Sequence, residues 1–172
     1  YSNSSDNPIE TNRVVTITRL SDNGGTENGG DDTAELAVAS SVSVVSGNPV
    51  ITNLDGNTGT FKEGDNPLLV DSESDATVIN NSSSGFNGGD LTVAIVSASV
   101  TESLSIETSA SIVLSNGMVA GSTISISGTI IGTIATGSDG QAGNNLIVSL
   151  NSNTTTALLG FLIHNITYSN NT

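Results

Sequence analysis

Apolar residues alternate with polar ones along most of the chain. The alternation is clearest from Val14 to Leu20, from Leu36 to Val44 and from Leu91 to Ser99. Successive side chains of a strand point to opposite faces, so this period of two predicts strands with one buried face. Residues that form turns separate these stretches every eight to twelve positions or so, which is typical of a β-sandwich. Further strands are predicted at 60–62, 68–70, 76–79, 104–106, 112–114, 124–126, 130–134 and 146–150.

One segment near the C-terminus departs from this period. Ala157, Leu158 and Phe161 recur at helical spacing, after a run of Asn and Thr that can cap a helix N-terminus. The spacing predicts one short helix over residues 155–164, closing one end of the sandwich. We expect His164, the one histidine of the sequence, to end this helix, where a cation complements the dipole.

Composition narrows the class of protein. Seventeen acidic residues against three basic ones give a net charge of −14, so little in the chain could neutralise nucleic-acid phosphates. The absence of cysteine excludes disulfides and thiolate metal sites. No apolar run is long enough for a membrane span. Frequent β-branched residues and a mean hydropathy of +0.06 favour a folded all-β chain over a disordered acidic one.

Candidate catalytic groups are few. A Ser-His-Asp triad would have to use His164, and the sequence contains neither a GxSxG nor an HExxH pattern. Aromatic side chains that could stack on a sugar make up 3% of the chain. We therefore expect that this protein is not an enzyme.

Carboxylates are concentrated between residues 63 and 75, with Lys62 as the one base nearby. They are Glu63, Asp65, Asp71, Glu73 and Asp75. In an extended chain the last three share one face, and a hard divalent cation would relieve their repulsion. Calcium is that cation outside a cell. The alternative is a solvated acidic edge strand that prevents edge-to-edge aggregation.

A glycine-rich loop provides a second candidate metal site. Asp22, Asp31 and Asp32 lie in it together with Glu27. Their spacing does not match the EF-hand loop. The alternative interpretation is a flexible acidic loop at the tip of a hairpin.

Several motifs together resemble a known family. They are NLDG at 53–56, FKEGD at 61–65, FNGGDLTV at 86–93, NITY at 165–168 and RVVTIT at 13–18. The chain resembles the cadherin-like tandem repeats of giant bacterial surface proteins, which are related to proteoglycan-type repeats. The resemblance implies a secreted cadherin/Ig-like β-sandwich with a calcium-binding, adhesive role. Where the family has an Asp-x-Asp pair before FNGG, this chain has 80–83 (NNSS), which implies a weaker calcium site.

The order of the motifs is permuted relative to that family. There, strands like 13–20 and 35–45 follow the Ile-Thr-Tyr segment of the same repeat, whereas here they precede it. The Tyr-Ser-Asn triplet at position 1 recurs at position 168, as in a tandem array. We therefore expect a β-sandwich domain at 47–172 that lacks its last two strands, and a hairpin segment at 1–46.

The hairpin segment either folds back onto its own chain or completes a neighbouring or preceding repeat by strand addition, and we favour donation. The apolar residues expected to carry the donation are Val15, Ile17, Leu36, Val38, Val42 and Val44.

These features predict an extracellular structural or adhesive repeat, or a filament subunit. It would assemble head-to-tail with identical subunits or adjacent repeats, with calcium making the assembly rigid. The second half of the chain fits an extracellular location, because from Thr108 onward its one charged residue is Asp139. The alternative is a calcium-dependent adhesin module that binds glycan or another cell surface.

Overall fold

The computed structural model describes residues 2, 9, 11–29, 33–44, 47–82 and 85–171. The chain divides into two compact units, Tyr1–Asn48 and Pro49–Thr172. Within the described residues the fold is all-β with a single short α-helix, α1 (Thr156–Ile163). The strands are β1 (Arg13–Ser21), β2 (Thr33–Val42), β3 (Val50–Thr52), β4 (Leu68–Leu69), β5 (Thr77–Ile79), β6 (Asp90–Val93), β7 (Glu102–Ile106), β8 (Ile112–Leu114), β9 (Thr123–Ile126), β10 (Thr129–Asp139), β11 (Leu146–Leu150) and β12 (Ile166–Asn170).

The second unit is an antiparallel β-sandwich. One sheet has five strands in the order β6-β11-β10-β9-β8, another has three in the order β4-β12-β7, and β3 pairs with β5. Alternating residues of these strands form one core, as the sequence pattern predicts. On β11, for example, Leu146, Val148 and Leu150 are buried, while Ile147 and Ser149 are half-buried. Burying such alternate faces is the main stabilising contribution.

The helix α1 closes the core, as its apolar spacing predicts. The Thr155 hydroxyl accepts a hydrogen bond from the Leu158 N–H at 3.2 Å and caps the first turn. Leu159 and Leu162 are buried in the core cluster. At the other end, His164 donates its backbone N–H to the Gly160 carbonyl. The following residues return to strand as β12.

Two predicted strands differ in the structure. Residues 60–62 form no strand, and the strand expected from Leu91 to Ser99 ends at Val93. The chain turns there, with Ser97 at a φ of 58°, and the Ser99 N–H donates to the Glu102 carboxylate at 2.6 Å. The strand therefore ends although the apolar alternation continues. The short β3 was not anticipated, because a proline and a turn motif flank it.

The first unit contains an antiparallel hairpin. Strand β1 pairs with β2, with Ile17 directly opposite Val38 and Thr16 directly opposite Ala39. The register shifts between Ile17 and Arg19, which marks a β-bulge. A short 3-10 turn at Glu27–Gly29 lies in the connection between the two strands.

Two glycines of the second unit test the packing in opposite directions. A Cβ at Gly132 would overlap the Ser149 backbone oxygen of the neighbouring strand, whereas a Cβ at Gly160 would lie 3.7 Å from the Ala76 oxygen, an ordinary contact. We expect Gly132→Ala to lower the free energy of unfolding by about 1–3 kcal/mol. Gly160→Ala should raise it by up to ~1 kcal/mol, because alanine favours the helix. Urea unfolding of both variants measures this, and equal effects would contradict the packing described.

Candidate functional site

The hairpin of the first unit carries an exposed apolar surface. Side chains alternate along a strand, so Val15 and Ile17 lie on one face of β1, and the register places Val38 on the same face. These side chains are 48%, 58% and 61% exposed, respectively. We call Val15, Ile17 and Val38 the hairpin face. An isolated two-stranded hairpin is marginally stable in water, and an exposed apolar patch is typical of an interaction site.

The other three residues predicted for assembly, Leu36, Val42 and Val44, lie on β2 or just past its end. Val42 lies opposite Arg13 and is half-buried. Leu36, next to the bulge, and Val44, past the end of β2, are also half-buried. The opposite face of the hairpin is mostly Thr, Ser and Ala, apart from two exposed apolar residues near its ends, Val14 and Leu20. The hairpin face is therefore apolar at its centre, with Arg13 and Arg19 at its two ends on β1.

Positive charge is concentrated on the same strand. Two of the three basic residues of the chain, Arg13 and Arg19, lie on β1. The Arg13 guanidinium donates to the Thr11 carbonyl at 3.1 Å, and that of Arg19 donates to the Thr33 hydroxyl at 3.2 Å. Among the described residues, neither arginine forms a salt bridge.

The structure does not bring the acidic residues 63–75 together. The expectation that Asp71, Glu73 and Asp75 share one face of an extended chain is wrong. Residues 71–74 form a turn, closed by a 3.2 Å hydrogen bond from the Ser74 N–H to the Asp71 carbonyl, and Ser74 has a φ of 54°. The Asp71 side chain is buried, whereas Glu73 and Asp75 are exposed. No three Asp, Glu or His side chains in the described part of the chain are grouped to hold a metal.

Glu63 and Asp65 border a shallow groove whose other residues include Asn170 and Asn171. The Asp65 carboxylate accepts the Lys62 N–H at 2.9 Å and fixes the turn on which both acids lie. The Asn170 Oδ1 atom is buried and has no hydrogen-bond partner. A buried acceptor without a partner is costly. Carboxylate and amide oxygens are ligands that calcium prefers.

The glycine-rich loop provides little for a metal. The Asp22 carboxylate accepts the Gly24 N–H at 2.8 Å, which is a local turn contact. Asp31 and Asp32, the other two candidates of this loop, lie outside the described residues.

A contact between Asp71 and His164 links the helix to the turn before β5. Asp71 is 0% exposed. Its Oδ2 atom accepts the Ala76 N–H at 3.1 Å and lies 3.5 Å from Nε2 of His164. That nitrogen is 2.8 Å from the Ala76 carbonyl oxygen, which can only accept, so Nε2 carries a proton. One N–H group of the imidazole therefore faces both a carbonyl and a buried carboxylate.

No local pattern predicts this contact, because Asp71 and His164 are far apart in the chain. His164 is the C-cap of α1, close to its predicted place at the helix end, but its side chain reaches the turn before β5. The other carboxylate oxygen of Asp71 is buried without a partner. Among the described residues, the imidazole forms no hydrogen bond to a serine or threonine hydroxyl. The contact joins the C-cap of α1 to the turn before β5.

Glu102 joins the end of β7 to β12. Its carboxylate accepts the Ser99 N–H at 2.6 Å and the Tyr168 hydroxyl at 2.8 Å. The hydrogen bond from the Ser99 N–H, followed by that from Tyr168, holds the pKa of Glu102 below its ordinary value. The same bond to Glu102 raises the pKa of Tyr168. Phe61 packs edge-on against the Tyr168 ring, with the ring centroids 5.3 Å apart.

Comparison of the chain with protein-family models, with curated proteins and with solved structures finds no match. The helix in the described part of the chain is too short to cross a membrane. The function proposed below therefore depends on the contacts and exposed surfaces of this chain.

The contact between Asp71 and His164 makes a stability prediction. His164→Ala would remove the N–H donor of the Ala76 carbonyl and leave the Asp71 carboxylate with the Ala76 N–H alone, and we expect a loss of about 1–3 kcal/mol in urea unfolding. His164→Gln keeps an N–H donor and should cost clearly less. Adding Asp71→Asn to His164→Ala removes the buried charge and should recover part of the loss. If His164→Ala unfolds at the wild-type urea concentration, the contact does not stabilise the fold.

Proposed function

We propose that this protein is an extracellular structural repeat or filament subunit in which the β1–β2 hairpin of one copy completes the β-sandwich of its neighbour. The exposed hairpin face carries this proposal. Val15, Ile17 and Val38 are apolar side chains on one face of a two-stranded sheet. A third element that covers this face would bury it and stabilise both strands.

Donation of the hairpin leads to a head-to-tail assembly. The donating surface lies on the first unit, and the accepting surface lies on the second unit of another copy, so the two surfaces differ. An association of this kind does not close on itself and extends into a filament. In a longer chain with several repeats, the same contact would join one repeat to the next.

The distribution of charge supports an extracellular location. From Thr108 to the end of the chain the one charged residue is Asp139, although many side chains of this part are exposed. Solubility there depends on Ser, Thr and Asn, a composition that is usual for extracellular β-proteins.

The proposal also includes calcium binding, which would make the second unit rigid. Glu63, Asp65 and Asn170 would supply the ligands, and the buried, unpartnered Oδ1 atom of Asn170 supports this choice over the dispersed residues 71–75. When bound, the ion would neutralise the two carboxylates and fix the turn at 62–65 next to the end of β12.

Disruption of the hairpin face should abolish assembly. We expect Ile17→Asp with Val38→Asp to give a monomer of 17.2 kDa at concentrations at which the wild type forms larger species. The reason is that two carboxylates would have to be buried without partners. Light scattering and negative-stain microscopy of the full chain measure the assembly.

The matched control is Thr16→Asp with Ala39→Asp. This is the neighbouring cross-strand pair on the opposite face, and it carries the same two charges directly opposite each other. It should still assemble where the Ile17 and Val38 variant does not, because on this face the two charges stay in water. Donation fails if the Ile17 and Val38 variant still assembles, or if the wild type remains monomeric at every concentration.

Calcium should raise the thermal stability. At a calcium concentration of about 100 times the dissociation constant, a ligand that binds only the folded state contributes ~2.7 kcal/mol, a shift of about 5–10 °C. Asn170→Ala and Glu63→Gln should reduce this shift, whereas Glu73→Gln, at an exposed acid outside the groove, should not. Identical melting curves in calcium and in chelator, with no heat of binding in calorimetry, would exclude the site.

A further inference from the structure

We infer that the free edge of β6 is the surface that accepts the donated hairpin, and that it pairs with β1 of the neighbouring copy. This inference rests on the donation proposed above and names its acceptor. The argument starts from the strand edges of the second unit, because strand addition needs unpaired backbone groups.

The outer edge of β7 is closed by the chain itself. The Leu104 N–H donates to the Gly140 carbonyl at 2.7 Å, and the Gly143 N–H donates to the Glu102 carbonyl at 2.7 Å. The Gln141 side chain also donates to the Leu104 carbonyl at 3.0 Å. The loop at 140–143 therefore occupies the position that an added strand would take.

Three other strands have edges that are blocked or short. On β8, the Ile112 carbonyl accepts the Ser109 N–H at 2.9 Å, and the Ile112 N–H donates to the Ser109 hydroxyl at 3.2 Å. Strand β4 has two residues and follows Pro67, which has no N–H to donate. Strand β3 has three residues and belongs to a sheet of two strands, separate from the five-stranded one.

The edge of β6 is open. The Leu150 N–H donates to the Gly89 carbonyl at 2.8 Å, and this bond fixes which residues of β6 face β11. Backbone groups alternate along a strand, so those of Leu91 and Val93 point to β11, and those of Asp90 and Thr92 point outward. In the part of the chain that the structure describes, these outward groups have no backbone partner.

The side chains of the two edges match. Leu91 and Val93 lie two residues apart and face the core, and Val15 and Ile17 have the same spacing on the hairpin face. A strand added beside β6 in this register places the hairpin face next to them, so that it extends the apolar layer of the core. Thr16, which lies between Val15 and Ile17, then adjoins Thr92 on the solvent side, and Arg13 and Arg19 lie on the core-facing side beyond the apolar pair.

The lengths of the two strands also fit. Strand β1 has nine residues and β6 has four, so the donated strand would continue past Val93 along the following turn. Val96 and Val100 lie in that turn and are 92% and 80% exposed. They are the most exposed of the large apolar side chains in the second unit, and a longer neighbouring strand would cover part of their surface.

Charge selects β1 over β2. Strand β1 carries Arg13 and Arg19 and no acid, whereas β2 carries Glu35. The accepting edge carries Asp90, and residues 49–172 contain ten acids and one base, Lys62. The acidic second unit therefore attracts β1 at long range and repels Glu35 of β2, although the arginine side chains lie on the face of Val15 and Ile17 and do not adjoin Asp90.

Two full-length variants that complement each other test the inference. The donor-defective chain is Ile17→Asp with Val38→Asp, and the acceptor-defective chain is Thr92→Pro, which removes one outward N–H at a strand edge that tolerates proline. Each chain alone should remain monomeric. A mixture should form a capped dimer of twice 17.2 kDa in light scattering, because each chain keeps the surface that the other lacks.

A second acceptor variant covers the case in which Thr92→Pro unfolds. Asp90→Lys with Thr92→Lys changes two exposed side chains, removes the acid of the accepting edge and places lysines on an edge strand, which opposes strand pairing. It should also remain monomeric and dimerise with the donor-defective chain. Val113→Lys, at an exposed position on the opposite edge strand β8, is the control and should assemble like the wild type.

The outcomes separate the two proposals. If both acceptor-defective chains assemble like the wild type while the donor-defective chain does not, donation stands and the acceptor edge is not β6. The same holds if Val113→Lys alone blocks assembly. If the donor-defective chain itself assembles normally, the donation on which this inference rests is wrong.

Discussion

The structure depends on one constraint: a two-stranded hairpin cannot bury its own apolar face. Ile17 and Val38 lie opposite each other on β1 and β2, and both are more than half exposed. Hydrophobic burial is the main favourable contribution to folding, so a hairpin without a covering element gains little of it. The need to cover this face accounts for the proposed donation, the head-to-tail direction and the choice of an acceptor with a free strand edge.

The second unit covers the apolar faces of its own strands. Its sheets and the helix α1 share one core. Two side-chain contacts join elements that are far apart in sequence: the Tyr168 hydroxyl donates to the Glu102 carboxylate, and Asp71 contacts His164. The loop at 140–143 closes one sheet edge, and Ser109 closes another. Natural β-proteins protect sheet edges in this way. Within the described residues, the outward backbone groups of β6 have no such protection.

Much of the fold could be predicted from the sequence because its signals are local. The alternation at Leu146–Leu150 and the capped helix at Thr156–Ile163 are decided by residues within a few positions of each other. The conformation of residues 71–75 could not be predicted in this way. The buried Asp71 carboxylate accepts the Ala76 N–H and folds the segment into a turn, which the charge pattern alone does not indicate. The Asn170 groove was missed because its residues come from distant parts of the chain.

Hydrogen exchange of the full chain at rising protein concentration tests the central claim most directly. The account predicts that the amides of β1 and β2 exchange rapidly in the dilute monomer and slowly in the assembled state. The amides of β10 and β11 should exchange slowly throughout, since their strands lie inside the five-stranded sheet. Exchange of β1 and β2 that does not depend on protein concentration would contradict donation of the hairpin.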